Sequence, residues 1–405
     1  MTLSEIIEDF RSGDPERYGN ALREAEQIAA ASTLPDAATS EVLAAVTTPF
    51  PEVGPQRAEE VLMVLLARHA REVPVAELAA AYPALLEVAR AWALRVLAQA
   101  ATEESLIALA DLLEHRDTLP EAWWPILGPL EYTSREADRL IRALGDAIAA
   151  EPFRRNAALT LIGYGKRGLL WSHADRLTDI VLPHARVALS DLGSDLDASL
   201  LEDARRRLGM WSDLLASLAT DDAREFLTAV AKNPDPALAV WGVIGLERAG
   251  ADMPDGVVAT TAAFPAARVP LIAAYSELHG VDAIPAEHRT QTAIAEGALA
   301  LWLQDPNHLG APPEAIEHVH TQEIQLPNDG GPGDVFVFRF RPEGAPDGTW
   351  LVGIAGPYAR AQQPTVSDYG YTYSVFCAED ECDIDEHINR IAHTVNAAVA
   401  GAPGR

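Results

Sequence analysis

Four side chains near the C-terminus have the most explicit chemistry in this sequence: Cys377, Cys382, His387 and His393 are, by type, the ligands of a structural zinc ion. Their spacing, Cys-x4-Cys-x4-His-x5-His, argues against that use. Structural zinc sites separate the cysteine pair from the histidine pair by about a dozen residues or more, so that the chain can fold back on itself. The neighbouring Glu379, Asp380, Glu381, Asp383 and Asp385 have the oxygen chemistry of a hard-cation site, but a solvated acidic loop is the commoner outcome of such a run. No metal and no cofactor are expected. His318 and His320 open a predicted strand, whose two-residue period sends both rings to the same face, and no third ligand accompanies them.

Gly163-Tyr164-Gly165-Lys166-Arg167-Gly168 matches a dinucleotide fingerprint letter for letter. That fingerprint works only when a strand precedes it and a helix follows, so that the pyrophosphate reaches a helix N-terminus. Here helical periodicity precedes it, and the glycines read as the end of a helix. A basic island runs through Arg154, Arg155, Lys166, Arg167, Arg176, Arg186, Arg205, Arg206 and Arg207, nine cations against seven acids between Asp175 and Asp203. Solvated pairing with those acids is the expected role. In the last hundred residues, Arg339, Arg341, Tyr358, Arg360, Tyr369 and Tyr371 combine arginine with aromatic rings, the composition of interface anchors, and are the candidate partner-binding residues. Tyr358 and Tyr369 flank a long Gln- and Pro-containing connection, and long loops on rigid scaffolds are disproportionately functional. There is no serine-elbow, zinc-protease or phosphate-loop motif, so no catalytic residue is assigned.

The elements that must position these residues change character near residue 309. Before it the chain reads as successive helices. Thr2-x-x-Glu5 is a capping box and Asp14-Pro15 a helix start. Val61, Leu62, Leu65, Leu66 and His69, and then Leu86, Ala89, Ala93, Leu94 and Leu97, recur at three- and four-residue spacing as core faces. Three stretches, at 82–94, 151–159 and 235–243, each read as a helix opened by Pro and continued by small residues. Pro152 and Pro236 lie 84 positions apart, two periods of 42, within the HEAT and armadillo range. Over residues 1–308 the chain therefore resembles the HEAT-repeat family of α-solenoids. After residue 309 the period becomes two. Val335 to Arg341 places Phe336, Phe338 and Phe340 on one face, and 318–326, 349–355 and 369–376 read as further strands, followed by an amphipathic helix from about Asp383. The fold expected is mainly α: a HEAT-like α-solenoid of helix pairs over 1–308, then a small antiparallel α+β domain over 309–405 with one helix on its sheet. The segments 307–317, 335–341 and 353–358 resemble the C-terminal module of uncharacterised bacterial HEAT-repeat proteins, a resemblance that implies architecture and carries no catalytic residues.

Composition narrows the function classes. The 405 residues carry 31 Lys and Arg against 60 Asp and Glu, a net charge of −29. Every segment is net acidic: 12 basic to 25 acidic residues over 1–150, 14 to 21 over 151–308, and 5 to 14 over 309–405. A nucleic-acid binder needs the opposite field, which also weighs against a HEAT-type DNA glycosylase. The two cysteines cannot form a disulfide framework, the first ten residues lack the positive charge of an export signal, and no apolar run approaches 20 residues. The expectation is a cytoplasmic, non-catalytic interaction scaffold or adaptor whose solenoid and C-terminal module bind a basic protein partner, with neither nucleic acid nor membrane. The alternative is a small-ligand sensor or enzyme with its site between the solenoid and the C-terminal sheet.

Overall fold

The computed structural model describes all residues except 1, 32, 36, 54–55, 116–118, 121–134, 152, 194–197, 279, 306, 327–330, 347, 361–371, 380 and 401–405, with backbone alone at 135–137, 198, 372–376 and 394–400. The protein is mainly helical with a small C-terminal antiparallel sheet. It divides into two compact units, Met1–Val181 and Leu182–Arg405.

The first unit holds α1 (Leu3–Arg11), α2 (Pro15–Ala30), α3 (Ala38–Ala45), α4 (Ala58–Arg68), α5 (Val75–Ala81), α6 (Glu87–Ala100), α7 (Glu103–Glu114), α8 (Arg135–Ile148) and α9 (Arg154–Gly165); the division falls within α10 (Ala174–Asp191). The start signals act as read. Thr2 Oγ1 accepts from the Glu5 amide at 3.3 Å while the Glu5 carboxylate accepts from the Thr2 amide at 2.7 Å. Asp14 accepts from the amides of Glu16 and Arg17, with Pro15 at the first helical position. The stretch at 82–94 differs from expectation: Pro83 lies in a 3-10 turn, Tyr82–Ala84, and the helix begins only at Glu87. Helices pack on second neighbours as well as on adjacent ones, so that α1, α3, α5 and α7 form one contacting series and α2, α4 and α6 another.

In the second unit, α11 (Ala198–Leu218), α12 (Asp221–Ala231), α13 (Pro236–Arg248), α14 (Val257–Ala263), α15 (Pro265–Leu278) and α16 (Gln291–Leu303) precede the sheet. Small residues set the closest approaches. A Cβ on Gly242 would stand 2.2 Å from the backbone nitrogen of Ala231, so α12 and α13 meet backbone to backbone only because that atom is missing. The sheet is a meander of β1 (Ala315–Gln325), β2 (Pro332–Arg341), β3 (Leu351–Ala359) and β4 (Thr372–Ala378), followed by α17 (Ile384–Ala400).

Alternation along β2 and β3 builds two cores rather than one. Phe336, Phe338, Phe340 and Ala355 pack with Ile294, Leu299 and Leu303 of α16. The opposite face, Val335, Val337, Val352 and Ile354, packs under Ile388 and Ile391 of α17. The sheet is thus covered by a helix on each face, where the sequence led us to expect one. Gly353 makes the α16 side possible, since a Cβ there would lie 2.5 Å from Leu299. A bulge in β1 alters one expectation directly. His318 pairs with Phe338 but His320 with Val337, so Val319 is the extra residue and the two histidines point to opposite faces. His318 rests edge-on against Phe338 at 5.6 Å, and the paired-ligand geometry read from His318-x-His320 does not form.

Candidate functional site

The arginine and tyrosine residues singled out at the C-terminus divide into two places at opposite ends of β2. Arg339 and Arg341 extend the Val335–Val337 row past the part covered by α17. Phe340 pairs with Leu351, which sets Trp350 beside them. The Arg339 guanidinium lies 4.5 Å from the centre of the Trp350 ring and that of Arg341 at 5.9 Å, within the reach of cation–π attraction. Carboxylates hold both guanidiniums in place: Arg339 donates to Glu317 through Nε at 2.9 Å and Nη2 at 2.7 Å and to Glu379 at 3.4 Å, and Arg341 donates to Glu314 at 2.8 Å. Hydrogen bonding to Glu317 raises the Arg339 pKa still further, so this is a permanent cation. Trp350 carried no motif in the sequence; the signal that would have found it is an aromatic residue at the mouth of a strand whose predicted neighbour ends in Arg-x-Arg.

Arg360 belongs to the other end. It grips Asp334 from Nε at 2.9 and 2.8 Å and from Nη2 at 2.6 Å, and it also bonds Glu323. Asp334 is itself buried, and the hydrogen bond to it raises the Arg360 pKa. Five residues of strand, about 17 Å, separate Asp334 from Arg339. The two clusters are therefore distinct surfaces, and the one around Arg360 clamps the register shift between Asp334 and Phe336. Tyr358 is 2% exposed and packs edge-on against Phe336 at 5.8 Å, so its ring fills the core instead of presenting a surface. Tyr369 and Tyr371 lie outside the described residues.

The other constellations resolve into structural roles. Cys377 ends β4 and Cys382 precedes α17, both as free thiols. Burial, followed by a hydrogen bond with Cys377, pushes the Cys382 thiol up to about 11, which leaves little reactive thiolate near neutral pH. His387 and His393 are six positions apart on α17, too far round and along a helix to converge. Among the described residues no group of three or more His, Cys, Asp or Glu is placed to hold a metal ion. Gly163 and Gly165 lie inside α9, and Gly168, at φ +72°, lets the Leu169 amide bond back to the Tyr164 carbonyl at 3.2 Å, a helix-ending turn. Much of the basic island is paired: Arg154 with Glu151, Arg176 with Asp146, Arg206 with Glu202 and Arg207 with Asp191 and Asp203. Arg205 makes only a loose pair with Glu202, at 4.0 Å.

No helix among the described residues is long and apolar enough to cross a membrane. Comparison of the chain with protein-family models and with curated proteins finds no match to either.

Proposed function

We propose that the protein is a non-catalytic interaction scaffold of HEAT-like solenoid type, and that the Arg339–Trp350–Arg341 surface is where its C-terminal module docks a protein partner. The carrying observation is the stack itself. Arg and Trp dominate binding energy at protein interfaces, and here their planes are fixed in advance by Glu317, Glu379 and Glu314. Ordering long side chains at an interface costs about 0.5–1.5 kcal/mol each, a cost the ion pairs reduce before the partner arrives. The acids that fix the arginines also keep the patch from being strongly basic. With a net charge of −29 over the chain, a basic protein surface is the complementary partner and nucleic acid is disfavoured.

Two further observations support the solenoid half of the proposal. The second-neighbour contacts of α1 through α7 are the pattern stacked helix pairs produce. Trp171 is 89% exposed, on a 3-10 turn anchored by the His173–Asp138 contact at 3.0 Å, which offers a second aromatic anchor, in the first unit. The experiment is capture from native lysate on wild-type protein, on Trp350→Ala and on Trp171→Ala. The reading expects a protein retained by the wild type and depleted about tenfold or more by Trp350→Ala. Equal retention by Trp350→Ala would remove the sheet surface from the account, and retention of no protein at all would contradict the scaffold.

A further inference from the structure

Arg205, in the first half of α11, is the one side chain among the described residues with two buried nitrogens, Nε and Nη1, that lack any hydrogen-bond partner. It is 11% exposed, and its nearest carboxylate, that of Glu202, stands 4.0 Å from Nη1, beyond hydrogen-bond reach. The loose ion pair does not replace the missing hydrogen bonds, and a buried donor left without one costs about 1–3 kcal/mol, so its retention needs a reason.

The reason lies in what surrounds it. Arg205 lines a concavity of about 230 Å³ between α11, α13, α15 and the end of α16, wholly within the second unit. One wall is apolar, formed by Trp241, Pro270 and Leu301. Gly209, one turn after Arg205, places the indole: a Cβ there would lie 3.2–3.3 Å from three atoms of the Trp241 ring, so the ring turns its face to α11 beside the guanidinium. The polar groups on the rim leave room for an anion. Asp305 is already occupied by the backbone and side-chain nitrogens of Asn307, both at 2.8 Å, which hold its carboxyl below the usual range. Burial raises the Glu202 carboxyl above its ordinary value, and an incoming negative charge would raise it further.

We propose that this pocket binds a small organic carboxylate with a short apolar tail, the carboxylate meeting the guanidinium of Arg205 and the tail lying against Trp241 and Pro270. The volume is below the roughly 300–1,000 Å³ of sites for drug-sized ligands, which excludes a nucleotide. Arg is suited to the task because its planar fork matches a carboxylate in both geometry and charge. This site stands apart from the Trp350 surface, and neither proposal depends on the other.

The test is calorimetric titration of the full chain with 3-methylbutanoate and, as its uncharged counterpart, 3-methylbutanamide. Saturable binding of the acid is expected, with the amide weaker by about tenfold or more and the acid weakened about as much by Arg205→Met. Gly209→Ala leaves every charge in place and pushes the indole into the pocket, so it weakens the acid as well and serves if Arg205→Met does not fold. Absence of saturable binding of the acid up to about 10 mM, equal affinity for acid and amide, or unchanged affinity in either variant would overturn the proposal.

Discussion

Two arginines set among the helices of the second unit are treated in opposite ways. Arg268 is 3% exposed and saturated: Nε donates to the Ala262 carbonyl at 2.9 Å, Nη2 to Ala263 at 3.3 Å, and Nη1 to Ala293 at 2.6 Å and Glu296 at 2.7 Å. Those carbonyls belong to the last turn of α14 and the first turn of α16, so one side chain on α15 caps one helix and ties it to another. Arg205 is less deeply buried, with 11% of its side chain exposed, and apart from the loose Glu202 pair at 4.0 Å its Nε and Nη1 have no hydrogen-bond partner. Folding alone accounts for the first. The second keeps its hydrogen-bonding capacity for something outside the chain, which is how a binding site differs from a structural joint built of the same residue.

The largest expected effect follows from breaking the saturated side. Arg268→Met takes a donor from the Glu296 carboxylate and from the carbonyls of Ala262, Ala263 and Ala293, and removing one partner of such a cluster costs about 3–5 kcal/mol. Equilibrium urea unfolding measures it, and a loss below about 1 kcal/mol would mean that water replaces the guanidinium without penalty. Next comes Gly242→Ala. Its Cβ would meet backbone at 2.2 Å, which forces α12 and α13 apart and is expected to cost at least about 1–3 kcal/mol. Gly209→Ala, whose Cβ meets a side chain at 3.2 Å, serves as its mild counterpart and should cost less than about 1 kcal/mol in the same assay.

A smaller effect concerns pH and sharpens the Arg205 side. Because the folded protein holds the Glu202 pKa above its unfolded value, it binds more protons than the unfolded chain between the two values. Stability from this group is therefore greatest at acid pH and falls as pH rises through the raised folded pKa. Glu202→Gln should remove that decline, narrowing the difference in melting temperature between pH 5 and pH 7 relative to wild type. An unchanged difference would show that the Glu202 carboxyl titrates in the fold as it does in water.

How much of this was legible in the sequence depends on the range of the interaction. Thr2-x-x-Glu5 and Asp14-Pro15 are local hydrogen-bond patterns and act as read, and the alternation of Phe336, Phe338 and Phe340 predicts both strand and face. The second covering helix was missed because α16 is apolar on nearly every side, so its sequence marks no single face for the sheet. The bulge at Val319 carries no signal, since an inserted Val continues a strand as well as a paired one. Tyr358 illustrates an ambiguity of residue type: tyrosine suits interfaces and cores alike, and only the β2–β3 register decides that this one is core. Arg205 was read as one of three consecutive arginines in a solvated island. Successive helical positions turn by about 100°, so three in a row cannot all face water, and Gly209 one turn later marks the side on which another element approaches closely.

The most direct measurement is the unfolding free energy of Arg205→Met beside wild type, without ligand. A guanidinium kept for a ligand burdens the empty fold, so the apolar replacement should leave stability unchanged or raise it by about 1 kcal/mol while 3-methylbutanoate binding is lost. A loss of about 3 kcal/mol or more, the size expected for Arg268→Met, would contradict the account and make Arg205 a structural joint like its neighbour.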